Sequence, residues 1–284
     1  MWLSRRDYWL KAALTVIAWS SAFIVLVIIA FLISESIPAI QQEGIAAFFG
    51  DRAWYPAEGE FNLTPMLWGT LFVCAGAVVI TVPLGIVSAV FIHYFAPSFI
   101  RVPYRRMIEL LAGIPSVVYG FWGVVVLVPM ILTFSPPGTS LLAGIIVLTL
   151  MTLPTIALAA DQSISSVRRH YEPVAAALAF SRATLVLQVI LPAAKGGLVT
   201  GSILQTARAL GETMAVLMVC GNVVQIPQNL FEPMRALTAN IALEMAYAMD
   251  VHRSALFVSG LLLMILVSFL VLISDRVERS SHVS

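Results

Sequence analysis

Long apolar runs separated by short polar clusters dominate this chain. Six uncharged or nearly uncharged segments lie near 12–34, 66–94, 109–132, 140–160, 196–222 and 254–274. Each is long enough to cross about 30 Å of hydrocarbon as a helix, the form in which a single segment satisfies all its own backbone groups. The pattern predicts an all-α, polytopic membrane helical bundle with six transmembrane helices. Composition agrees: the chain is 60% hydrophobic and 11% charged, against roughly 25% charged in soluble domains. The first run, Ala12 to Ser34, exceeds the 7–15 residues or so of a signal-peptide core and has no A-x-A site after it, so it reads as an uncleaved span. Cys74 and Cys220 both fall in apolar runs and read as small packing residues rather than a disulfide framework.

The basic residues orient the bundle. Twelve Lys and Arg sit in the N-terminal tail, the loops after the second and fourth spans, and the C-terminal tail. Only Arg52, Arg235 and Arg253 sit on the other side, and Arg208 is left inside a span. The positive-inside rule therefore places both termini and the loop around Glu172 in the cytoplasm. The first outer segment, about 35–65, mixes acids with aromatics such as Trp54 and Phe61. It reads either as a membrane-belt aromatic cluster or as a landing surface for a soluble partner. The second outer loop, about 223–253, carries an apolar run, LTANIALEM, able to fold back on the bundle. Pro83, Pro115, Pro129 and Pro154 fall inside spans, where neighbouring helices make them tolerable. Gly197 and Gly201 form a close-packing GxxxG pair.

Two constellations carry candidate chemistry. Arg208 lies about halfway along the fifth span, with Glu212 four residues later on the same face of a continuous helix. An unpaired Arg at that depth costs at least about 2.5–3.5 kcal/mol. It is therefore either half of a structural ion pair or a cationic site on an enclosed anion path, with Thr206 and Thr213 as nearby hydroxyls. The second constellation is VAAALAF, 174–180, an apolar helix that the charge rule puts in the cytoplasm. It needs either a partner's groove or the lipid headgroups beside Arg168, Arg169 and Arg182, and a Leu191-Pro192 break is expected to separate it from the fifth span. No phosphate-cradling G-x-x-x-x-G-K-[ST] loop occurs, the four histidines are scattered, and no catalytic constellation is visible.

The segment after Glu172 resembles the cytoplasmic signature of ABC importer permeases: E-A-A, three residues, G, nine residues, I-x-L-P. Pro173-Val174-Ala175, Ala179, Val189 and Leu191-Pro192 keep that spacing, with Pro173 in the place of the signature Glu, Glu172 one position earlier, and Ala179 in the place of the Gly. The run from Arg208 to Asn222, with its RALGETMAV core, is similar to the PstC-type permeases of phosphate importers. So are Ala112–Gly120, Leu153–Ile156 and Leu237–Ala242. The resemblance implies a type I ABC importer permease fold. It implies an N-terminal helix and periplasmic segment over 1–64, a permease core over 65–275 with a coupling loop at 162–195, and a cytoplasmic tail at 276–284. It assigns ATPase coupling to Glu172, Val174, Ala175, Ala179, Arg182, Leu191 and Pro192, and the substrate path or gate to Arg208, Glu212 and Thr213. The expected partners are a PstA-like permease, a PstB-like ATPase dimer and a PstS-like periplasmic phosphate-binding protein in a bacterial inner membrane. Neither cofactor nor metal is expected on this chain, since ATP and Mg belong to the ATPase. A gradient-driven anion transporter, or an ABC permease for sulfate, molybdate or phosphonate, are the alternatives.

Overall fold

The computed structural model describes residues 5–50, 53–178 and 180–281. Helix α1 (Arg5–Glu43) runs through the first apolar segment and continues past Pro38. Most of its apolar side chains point outward, as on a helix surrounded by lipid or by another subunit, and it packs along the C-terminal helix α12 (Asp250–Ser281). Helix α3 (Thr64–Val90) continues through Pro83 and ends in a π-helical turn at Phe91–Phe95. It lies against α7 (Leu141–Ala177), a 37-residue helix that absorbs Pro154 and Pro173 without breaking. Among the described residues, five helices are long and apolar enough to cross a membrane, and six spans result if the bent pair described next counts as one.

That bent pair corrects the third expected span. Residues 109–132 do not form one helix. The chain turns by 90° between α4 (Ser98–Ala112) and the segment Ser116–Leu132, which comprises α5 (Ser116–Trp122), a π-helical turn and α6 (Val128–Leu132). The cause is local. Gly113 ends the first helix and Pro115 immediately precedes the second, in an extended conformation that cannot continue α4. The fifth span is broken as well. α9 (Leu191–Leu210) stops at Gly211, and a short α10 (Met214–Val219) follows. The Leu191-Pro192 break, by contrast, is absent. A turn α8 (Arg182–Thr184) and a π-helical stretch at Leu185–Ile190 run straight into α9, and the wider turn absorbs the donor that Pro192 lacks. The expected cytoplasmic loop is thus two helix extensions joined by a turn, and 174–180 is not a separate helix: its first residues are the last turn of α7.

Close helix contacts follow the small residues. A Cβ on Gly197 would lie 2.8 Å from Ser163 Oγ, and one on Gly201 would lie 3.2 Å from the Ala159 Cβ. The GxxxG pair therefore seats α9 on α7 within the chain. Several hydroxyls inside the bundle bond back to their own helices, as Thr81 does to Ala77 O at 2.6 Å and Thr152 to Leu148 O at 2.7 Å, whereas Thr149 and Thr200 Oγ1 are buried without a partner among the described residues.

The outer segments fold into a cap. A short helix α2 (Ala47–Gly50) and a hairpin of β1 (Trp54–Tyr55) with β2 (Glu60–Phe61) bury Phe48, Trp54 and Phe61 against α12. These three aromatics form a core and not a headgroup belt; Phe49 and Tyr55 stay exposed. The second outer loop does fold back. Its helix α11 (Leu237–Glu244) buries Leu237, Ala239 and Asn240. The cap is tied by one buried carboxylate. Glu244 receives Arg235 Nη1 at 2.6 Å, His252 Nε2 at 2.8 Å and the Trp54 indole N–H at 2.9 Å. Removing one member of such a buried set leaves the others uncompensated, at about 3–5 kcal/mol. Glu244→Ala is expected to lower the thermal unfolding midpoint of the detergent-purified protein sharply, whereas Glu58→Ala, on the exposed hairpin turn, leaves it unchanged.

Candidate functional site

The two helix breaks meet. The Ala112–Ser116 break and the Arg208–Glu212 break both line a cleft of about 250 Å³, closed on a third side by Met151, Thr152 and Thr155 of α7. Each break frees backbone groups that would otherwise be used within a helix. Arg208 sits in the last turn of α9, where the carbonyl end of a helix favours a cation, and Glu212 stands just ahead of α10, where the amide end favours an anion. Glu212 Oε1 accepts from the Ala215 N–H at 3.3 Å, and its backbone carbonyl accepts from Thr238 Oγ1 at 2.9 Å, fastening the break to α11.

This placement corrects the expected i, i+4 pairing. Gly211 interrupts the helix between the two residues, and among the described residues no ion pair joins Arg208 to Glu212 or to any other side chain. The guanidinium is exposed toward the cleft, and among the described residues its five donors have no side-chain or backbone partner. Thr206 does not join it. It bonds to Ser202 O and faces a different, apolar groove between α3 and α9. Thr213 bonds to Gly211 O at 3.2 Å and shapes the break without lining the cleft. Thr152, Thr155 and Ser116 line it instead. Sequence reading passed over them because hydroxyls in an apolar helix usually serve their own backbone; the Gly113…Pro115-Ser116 stop and start signals could have located the second break.

At the other end of α7, Glu172 is half-exposed and bonded to Arg168 at 2.7 and 3.0 Å. Val174 and Leu178 are exposed at 58% and 60%, with Tyr171 and Phe180 beside them in sequence, so an apolar tip projects from the bundle. Ala175 faces inward and is buried. Ala179 lies outside the described residues. Arg182 is exposed at the start of the return helix, with Pro192 exposed and Leu191 half-buried further along it. The tip and the cleft are thus at separate places on one helix, since α7 contributes Thr152 and Thr155 to the cleft and Glu172, Val174 and Leu178 to the tip.

The fold, with two broken spans enclosing a polar cleft and one long helix ending in an apolar tip, defines a membrane-spanning transport subunit. The chain belongs to the family of binding-protein-dependent transport system inner membrane components, whose profile matches residues 81–280. It is 32% identical over 297 residues to the phosphate transport system permease protein PstC of Xylella fastidiosa (strain Temecula1), covering 96% of this chain and 90% of that protein. It is 37% identical over 235 residues to a probable ABC transporter permease, YqgH, of Bacillus subtilis, covering 81% of this chain and 76% of that one. These relatives are in keeping with the PstC-type resemblance of the RALGETMAV run. The fold is also that of the MetNI methionine ABC transporter in inward-facing conformations, with a TM-score of 0.58 at 20% identity over 77% of this chain and 94% of that chain.

Proposed function

We propose that this chain is the PstC-like permease subunit of an ATP-driven inorganic phosphate importer in a bacterial inner membrane. The observation that carries the reading is the free Arg208 guanidinium in a polar cleft where two broken spans end. Its planar fork suits a tetrahedral oxyanion, which it can bind through paired N–H donors. Glu212 beside it supports phosphate over sulfate on chemical grounds. Phosphate near neutral pH still carries a proton, so its O–H can donate to a carboxylate, while sulfate has no proton to give and is repelled. Sulfate and the other oxyanions remain the rival substrates within the same architecture. Family membership supports ATP coupling over the gradient-driven transporter, because the relatives are named as permeases of ABC and phosphate transport systems.

In this reading the chain forms half of the path with a PstA-like permease and receives phosphate outside from a PstS-like protein. The tip around Val174 and Leu178 docks a PstB-like ATPase; ATP and Mg bind there, and this chain carries no cofactor. Closure of the ATPase dimer moves the tips, and the cleft is exposed alternately to the two sides. The test is ATP-dependent uptake of labelled phosphate by vesicles carrying this chain with its co-encoded subunits, with sulfate as competitor. Wild-type uptake is expected to require the ATPase and to ignore sulfate, and Glu212→Gln to admit sulfate competition. Wild-type uptake suppressed by sulfate would replace the substrate, and uptake without the ATPase would remove the coupled mechanism.

A further inference from the structure

Between the tip and the cleft, a cluster of charged residues sits where the end of α3 meets the middle of α4 and of α7. Asp161 of α7 is 1% exposed, and its two oxygens face two different elements. Oδ1 lies 2.7 Å from Nε2 of His93, in the π-helical turn that ends α3, and Oδ2 lies 2.7 Å from Nη2 of Arg105 on α4. Arg105 pairs with the carboxylate by charge, and the His93 ring nitrogen reaches its other oxygen. On its other side, His93 Nδ1 is 3.3 Å from Nη1 of Arg168. Arg can only donate, so Nδ1 accepts and the ring proton sits on Nε2, toward Asp161. Arg168 holds Glu172 and lies over the Tyr94 ring at 5.6 Å. Glu109 also approaches Arg105, at 3.6 Å.

The chain of contacts is therefore continuous: Glu172, Arg168, His93, Asp161, Arg105. Its far end has consequences because α4 ends at Ala112, the first residue of the cleft wall. Arg105 is seven residues, about 10 Å, from that wall along α4, and Asp161 is six residues, about 9 Å, from Thr155 along α7. The Asp161–Arg105 contact thus closes a triangle whose third corner is the cleft itself. It adds a charged tie to the apolar packing of Ile108 on Ala157 and the Ser88–Tyr104 hydroxyl contact, which also hold α4 to α7 and α3.

We propose that Asp161 is a positioning residue for transport: it is the pivot through which movement of the α7 tip is converted into movement of α4, and so into opening of the cleft wall. The proposal rests on the reading of the tip as the ATPase contact. A buried carboxylate is expensive without charged partners, and the two oxygens of Asp161 engage two separate elements, the π-helical turn after α3 and the middle of α4.

The experiment measures α4 directly. Spin labels at Val102 on α4 and Val125 on the Ser116–Leu132 segment, both exposed, report the angle at the break in the assembled complex; Cys74 and Cys220 are buried and stay unlabelled. Trapping the ATPase with nucleotide and vanadate is expected to shift the Val102–Val125 distance in the otherwise unaltered complex. In Asp161→Asn the shift disappears while ATP hydrolysis continues, and phosphate moved per ATP falls at least tenfold. Arg105→Gln, at a half-exposed side chain and with His93 still beside the carboxylate, is expected to behave the same way and covers the case in which Asp161→Asn fails to assemble. A nucleotide-driven shift retained in Arg105→Gln, no shift in the unaltered complex, or uptake and hydrolysis falling in equal proportion would each overturn the proposal. Absence of phosphate uptake by the unaltered complex would instead overturn the substrate reading, since the distance measurement needs no substrate.

Discussion

Arg208→Gln is expected to insert, fold and assemble normally, and to lose phosphate uptake by about 10- to 100-fold. The magnitude follows from removing a charge-assisted hydrogen-bonded contact, roughly 1.5–3 kcal/mol, at about 1.4 kcal/mol per tenfold change. The fold does not depend on the side chain: it is exposed to the cleft, and among the described residues no carboxylate is left unpaired by its removal. Gln keeps the length and some hydrogen bonding but not the charge, and at the carbonyl end of α9 it loses the favourable interaction with the helix dipole as well. Uptake measured in vesicles with matched amounts of complex decides the matter. Normal uptake in the variant would leave Arg208 as a residue that only helps to end α9.

The spans were legible because long apolar runs survive any arrangement of neighbours: α1 and α12 contain the segments read from the sequence, α3 does so together with its π-helical turn, and α7 starts one residue inside its segment. What escaped was the geometry at the breaks. Pro83, Pro154 and Pro173 interrupt nothing, while Pro115 ends a helix, and all four look alike in a one-dimensional pattern. The local sequence differs: Pro115 follows Gly113 by two residues, whereas the other three lie inside continuous helices, Pro154 buried and Pro83 and Pro173 exposed. The same limit applies to the site. Arg208 and Glu212 stood out by charge, but their relation depended on Gly211, which converts a same-face pair into two helix-end residues. Thr152 carries no sequence signal, and Thr155 stands out only as part of the Leu153–Ile156 resemblance; the meeting of the two breaks against α7 gives both a place in the cleft. His93, Asp161 and Arg105 are likewise 12 to 68 positions apart, and each taken alone reads as an ordinary interfacial charge.

Val174→Glu is expected to abolish copurification with the ATPase subunit while leaving membrane insertion intact. Val174 is 58% exposed on the last turns of α7, with Tyr171 and Leu178 at helical spacing on either side. An apolar tip that is exposed in the single chain is stable in the cell only if something covers it. A carboxylate placed in such a contact would have to be buried without a partner, at a cost of several kcal/mol, enough to weaken association more than about 100-fold. The site matters as much as the substitution. Ala175, one residue on, is 3% exposed within the chain, so a Glu there would disturb the bundle itself and could not separate docking from folding. Val174→Ala supplies the matched control, since it removes only two methyl groups from the contact and is expected to retain both copurification and transport. Full ATPase binding and phosphate uptake by Val174→Glu would mean that the apolar face at the end of α7 meets lipid or the second permease, and that the ATPase is engaged elsewhere on the cytoplasmic side.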